Sequence, residues 1–134
     1  MVEMAIAAPV LIVLLLAATD FGRLYYTNIE VFNAARAGAQ YGSQSLITAA
    51  DFAGMKTAAT NDASNLSSLN ATASQCTCMT STTVPACPAS YCTSNPQATF
   101  VEVDTSTTFK TVIKYPGVPS PVTLAGKAVM RVQP

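Results

Sequence analysis

The sequence predicts an α+β chain: a long N-terminal hydrophobic helix packed on a small three-stranded antiparallel sheet head that carries a Cys-rich loop region. Three observations lead there. Residues 4–18 are Ala, Val, Leu and Ile apart from Met4 and Pro9. Apolar residues then continue at helical spacing to about residue 43. Beyond residue 99 the apolar period changes to two, the period of a half-buried strand.

Only a tenth of the 134 residues are charged, and seven cations balance seven anions. Without a basic surface to release counterions, nucleic acid is not an expected partner. The chain has no His and no Trp, so the commonest general base and metal ligand is missing. Asp51, Asp62, Glu102 and Asp104 supply carboxylates that nothing in the sequence pairs with a nucleophile or base. No catalytic residue, metal or cofactor is expected, and the chain reads as a non-enzyme.

The rod comes first. Sixteen uncharged residues separate Glu3 from Asp20, and no Lys or Arg precedes them. A span of the bilayer takes about 20 apolar residues, so this run suffices with a small tilt. Secretory signals and simple anchors carry positive flanks, which Glu3 does not supply. Past Asp20, the residues Phe21, Leu24, Tyr25, Ile29, Phe32 and Ala35 keep close to i, i+3/i+4 spacing. The aromatics Phe21, Tyr25, Tyr26, Phe32 and Tyr41 read as core packing along the rod. Ala34, Gly38 and Gly42 form a row of small residues, and Ala35 with Ala39 a second; such rows let helix backbones approach closely. Pro9 lacks an amide and predicts a kink or local melting, while Gly22 is a weaker flexible point. Asp20 and Arg23 lie one turn apart on one face and can pair.

In the head, residues 44–134, Thr48 followed by Asp51 resembles an N-cap with an acidic third position, which predicts a short helix over about 49–63. Residues 64–98 are read as loop. Within it Cys76, Cys78, Cys87 and Cys92 are even in number in a short polar segment, which argues for two disulfides rather than a zinc site. Cys76–Cys78 is sterically poor, leaving 76–87 with 78–92, or 76–92 with 78–87. Asn65-Leu66-Ser67 and Asn70-Ala71-Thr72 fit the glycosylation sequon, a tripeptide common by chance. Residues 99–103, 107–115 and 122–132 read as three strands, with Phe109, Thr111, Ile113 and Tyr115 on the apolar face of the second.

Val2-Glu3-Met4-Ala5, Pro9, the aliphatic run, Asp20-Phe21-Gly22-Arg23-Leu24-Tyr25 and Asn33-Ala34-Ala35-Arg36-Ala37-Gly38-Ala39 with Tyr41-Gly42 resemble the TadE-like pilins of the tight-adherence branch of type IV filaments. Val112-Ile113-Lys114-Tyr115-Pro116 and Ala128-Val129-Met130-Arg131-Val132 resemble that family's closing strands. The likeness is dense over residues 2–42, weaker over 109–132, and absent from the Cys-rich middle. The family shows Gly and one or two more residues ahead of the glutamate, where Met1-Val2 stand here.

The resemblance implies a precursor in the inner membrane, cut by a prepilin peptidase and drawn by inner-membrane assembly machinery into an extracellular helical homopolymer or mixed pilus. It implies that Glu3 neutralises the amino terminus of a neighbouring subunit, and the residues matched to assembly are Glu3, Pro9, Asp20, Gly22, Arg23, Ala34, Gly38 and Gly42. The competing expectation is a single-span, membrane-anchored periplasmic binding module that never polymerises.

Overall fold

A computed structural model describes residues 2–78, 98–113 and 120–133. Helix α1 runs Val2–Ser43 without interruption. Two short helices follow, α2 at Leu46–Ala50 and α3 at Phe52–Asp62, and then three strands, β1 at Asn70–Cys78, β2 at Ala98–Phe109 and β3 at Val122–Arg131. The sheet is antiparallel in the order β1-β2-β3, so β2 is central.

The α1 helix would be about 60 Å long at 1.5 Å per residue, and its two halves have different fates. From Val31, itself buried, onward one face is covered: Ala34, Ala35 and Ala39 form a core with Met55 and Ala59 of α3, Val101 and Val103 of β2, and Ala128 of β3. Small side chains on α1 let three elements close on it, and aliphatic and Met side chains from the other side fill the space. The head is thus built around the outer half of the rod, as the apolar face of the sheet required. At the far end, Gln133 N–H donates to the Ser43 carbonyl at 2.9 Å and Val132 N–H to the Thr99 carbonyl at 2.8 Å.

The turn from α1 into the head corrects the expected cap. Ser45, not Thr48, starts α2: its hydroxyl accepts from Thr48 N–H, and the Thr48 hydroxyl accepts from Ser45 N–H. Asp51 then caps a helix of its own, accepting Gly54 N–H at 2.9 Å. Both caps use the same three-residue spacing, so a sequence with Ser45, Thr48 and Asp51 in series can be read one turn out of step. The Gly54 amide, and after it the Tyr41 hydroxyl at 2.8 Å, hold the Asp51 carboxyl below the usual aspartate range. A lowered folded-state value means that this contribution is complete above the ordinary aspartate pKa of about 3.9 and is lost as pH falls through the folded value. Melting temperatures of the wild type and Asp51→Asn are therefore expected to differ most near neutral pH and to converge as the pH falls below the ordinary aspartate range. A constant difference across that range would assign the effect to shape rather than charge.

Two strand expectations are also corrected. The segment read as loop contains β1, whose Ala71 and Ala73 pack against the core. Its Asn and Ala residues are poor strand formers; it is held by the register Asn70↔Ser106 to Cys78↔Ala98 along the edge of β2. The two strands expected at 99–103 and 107–115 are one strand as far as Phe109, continuous through Asp104, Thr105 and Ser106. Thr105 and Thr107 continue the buried face of Val101 and Val103, and the Thr105 hydroxyl donates to the Val31 carbonyl of α1 at 2.7 Å. Beyond Phe109 the chain leaves the sheet, since Thr111 and Val112 bond elsewhere; Lys114 and Tyr115 lie outside the described residues.

Candidate functional site

Most of the inner half of α1 is uncovered by the described residues. Met4, Ile6 and Val10–Leu15 are each more than half exposed, and only Leu16 and Ala17 are partly covered. An 18-residue window here reaches a mean hydropathy of 2.2, and the helix is long and apolar enough to cross a membrane. So large an apolar surface marks a contact with lipid or protein. Glu3 stands exposed in the first turn, where the helix dipole favours a carboxylate. Pro9 lies inside unbroken helix, so the melting expected there does not occur. A side chain at Gly22 would meet nothing within 4 Å.

Bare rod gives way to clothed rod at Asp20. This carboxylate is 5% exposed, and both its oxygens lie 3.1 Å from the Val112 amide, which donates to them from the connection between β2 and β3. Arg23 Nη1 stands 3.6 Å from Asp20 Oδ1, the one-turn pair that the spacing allowed. The Arg23 guanidinium also lies over the Phe109 ring, 5.6 Å from its centre, within reach of a cation–π contact. Asp20 and Arg23 thus fasten the base of the head to the rod. Beside them Ala17, Phe21, Leu24, Phe109 and Val122 line an apolar cleft of about 240 Å³.

The small-residue row lies elsewhere. Ala34 is fully buried, a Cβ on Gly38 would come 2.8 Å from the Met55 carbonyl, and one on Gly42 would strike the Met55 side chain. Ala34, Gly38 and Gly42 therefore make their close approach to the chain's own α3 and sheet. Of the aromatics expected in the core, Phe21, Tyr25 and Tyr26 are largely exposed, while Tyr41 packs against the core and donates to Asp51.

Three contacts were not visible in the sequence. Glu102, 2% exposed, accepts from Lys127 Nζ at 2.8 Å, and Asp104 stands 3.5 Å from the same nitrogen. The hydrogen bond to Glu102 raises the Lys127 pKa, and burial raises that of Asp104 despite the nearby ammonium. Glu102 and Asp104 share a face of β2 by period two, which the break expected after residue 103 concealed, and their cation comes from the opposing register Asp104↔Lys127. Glu30 accepts from the Asn65 amide at 2.6 Å, binding the rod to the segment after α3. Cys76 is buried at the end of β1 and is not a free thiol. Cys87, Cys92 and the side chain of Cys78 lie outside the described residues, so neither expected pairing is distinguished.

Residues 1–40 match the model of a family described as TadE-like protein. The match covers the bare half of the rod, the Asp20–Arg23 junction and the start of the clothed half, the stretch where the resemblance is densest. No curated protein and no solved structure matches the chain.

Proposed function

We propose that this chain, TadE-like over its first 40 residues, is a structural subunit of a type IV pilus-like filament. In this reading it waits in the inner membrane with residues 3–19 across the bilayer, then polymerises outside through the same surface. A prepilin peptidase and inner-membrane assembly machinery act on it, and neither catalysis nor a cofactor is part of its work.

One observation carries the reading. A single continuous helix is covered by its own head over one half and left bare and apolar over the other. Lipid can cover the bare half in the precursor, and helices of neighbouring copies can cover it in a filament core. Glu3 then supplies register, pairing with the amino terminus of a neighbour. Pro9 and Gly22 supply local compliance during repacking, Asp20 and Arg23 set where the head begins, and the buried Ala34, Gly38 and Gly42 keep the head close to the filament axis. The Cys-rich segment is tied by two disulfides, each worth about 2–4 kcal/mol to so small a head.

Material sheared from the cell surface tests this. Non-reducing intact mass is expected to show a processed chain about 4 Da below its fully reduced mass, the loss of four hydrogens to two disulfides. Recovery of the chain from the membrane fraction alone would instead favour the anchored binding module.

A further inference from the structure

Asp20 does more than end the apolar run. Its bond to Val112 N–H fixes one point of the head to a known position along the rod. At 1.5 Å per residue, Glu3 and Asp20 are about 25 Å apart, slightly less than a hydrocarbon core of about 30 Å. If residues 3–19 span the bilayer, Asp20 lies at the hydrocarbon boundary, and Val112 must lie there with it. The carboxylate can occupy that depth because its own chain supplies an amide donor and a guanidinium.

Around this point the chain presents apolar side chains that none of the described residues of the head covers. Val112 is 65% exposed, Ile113 39%, and Phe21, one residue past Asp20, 68%. Tyr25 and Tyr26, also exposed, lie about 8–9 Å farther along the axis, within the head-group layer where aromatic rings are enriched. Arg23 and Lys110 are charged groups at the same level, Arg23 half exposed and Lys110 exposed, placed to meet lipid phosphates.

We propose that Val112 and Ile113, held to Asp20, form a second membrane contact beside Phe21, Tyr25 and Arg23, so that the base of the head rests in the lipid interface before assembly. The occupant is the bilayer surface, because the Asp20–Val112 bond is continuous with the spanning segment and leaves these side chains no other depth. The head therefore leans on the membrane rather than swinging free on a stalk. The inference rests on the spanning reading of residues 3–19.

The absence of Trp from the chain makes a direct test available. Full-length Val112→Trp, Ile113→Trp and Leu14→Trp variants are reconstituted into phosphatidylcholine–phosphatidylglycerol vesicles. Each preparation contains lipid brominated either near the glycerol backbone or near the chain ends. Leu14→Trp is expected to be quenched best by the deep bromines. The Trp at 112 or 113 is expected to lose about half its emission to shallow bromines, and clearly less to deep ones, as an interfacial position requires. Quenching of Leu14→Trp without quenching of either head variant would overturn the inference and leave the spanning reading intact. Blue-shifted emission at 112 without bromine quenching would also overturn it, since protein rather than lipid would then cover the site. Failure of Leu14→Trp to be quenched would remove the spanning reading and the inference with it.

Discussion

Glu3→Ala is expected to abolish surface filaments while leaving the chain in the membrane at wild-type abundance. Glu3 is exposed in the first turn and contacts none of the described residues of the head, so its removal is expected to leave the fold intact. Its effect belongs to assembly. In a bundle of bare helices a free amino terminus becomes a charge in an apolar setting, and an unpaired buried ion costs several kcal/mol. A loss of that size at every subunit contact would lower the filament's association constant more than a hundredfold per contact, at 1.4 kcal/mol per factor of ten. The measurement compares sheared and membrane fractions by immunoblot for wild type, Glu3→Ala and Glu3→Gln. Gln retains a hydrogen-bond acceptor without charge and is expected to resemble Ala, because the ammonium requires a counter-charge. Filaments at wild-type yield from Glu3→Ala would exclude Glu3 as the register residue.

The second large effect is expected at Gly126, which the sequence did not single out. A Cβ there would come 2.8 Å from the Val31 carbonyl, 3.0 Å from the Phe32 Cα and 3.0 Å from the Thr105 hydroxyl. Two of these neighbours belong to the α1 backbone, which cannot move aside as a side chain would. Gly126→Val must therefore push β3 off the rod and disturb the Thr105–Val31 hydrogen bond. Overpacking of this kind costs about 1–3 kcal/mol, and backbone contacts place it at the upper end. For a head of this size that corresponds to a melting temperature lower by roughly 15 °C. Thermal melts in detergent test it, with Gly22→Val as the comparison: space is open around Gly22 and Val is a better helix residue than Gly, so that variant is expected to lose no stability. Equal losses from both would show that β3 is not pressed against α1 at this point.

How much was legible follows from the kind of signal each element carried. The rod was clear because apolar residues at helical spacing over some 40 positions leave few alternatives, and α1 ends at Ser43. Strand β3 was clear from its length and its alternation. Strand β1 was not, because Asn and Ala are depleted from strands and its two Thr stand apart, so its conformation is imposed by the edge of β2. Thr105 was misread for a related reason. Among Asp104, Ser106 and Thr107 it looks like a break, yet its hydroxyl is spent inward on the α1 carbonyl.

The residues expected to serve assembly divide in the same way. Residue type and spacing alone determined that Glu3 opens an apolar span, that Asp20 and Arg23 can pair, and that Ala34, Gly38 and Gly42 demand a close neighbour. Which neighbour was decided only by the tertiary structure. A row of small residues records the distance of approach but not the identity of the partner, and here the partner is the chain's own head. Lys127 between Glu102 and Asp104, Asn65 on Glu30 and Val112 on Asp20 are likewise long-range pairings. Each depends on a register or a turn that no local pattern encodes, because hydrogen bonds form between groups brought together in space, whatever their separation along the chain.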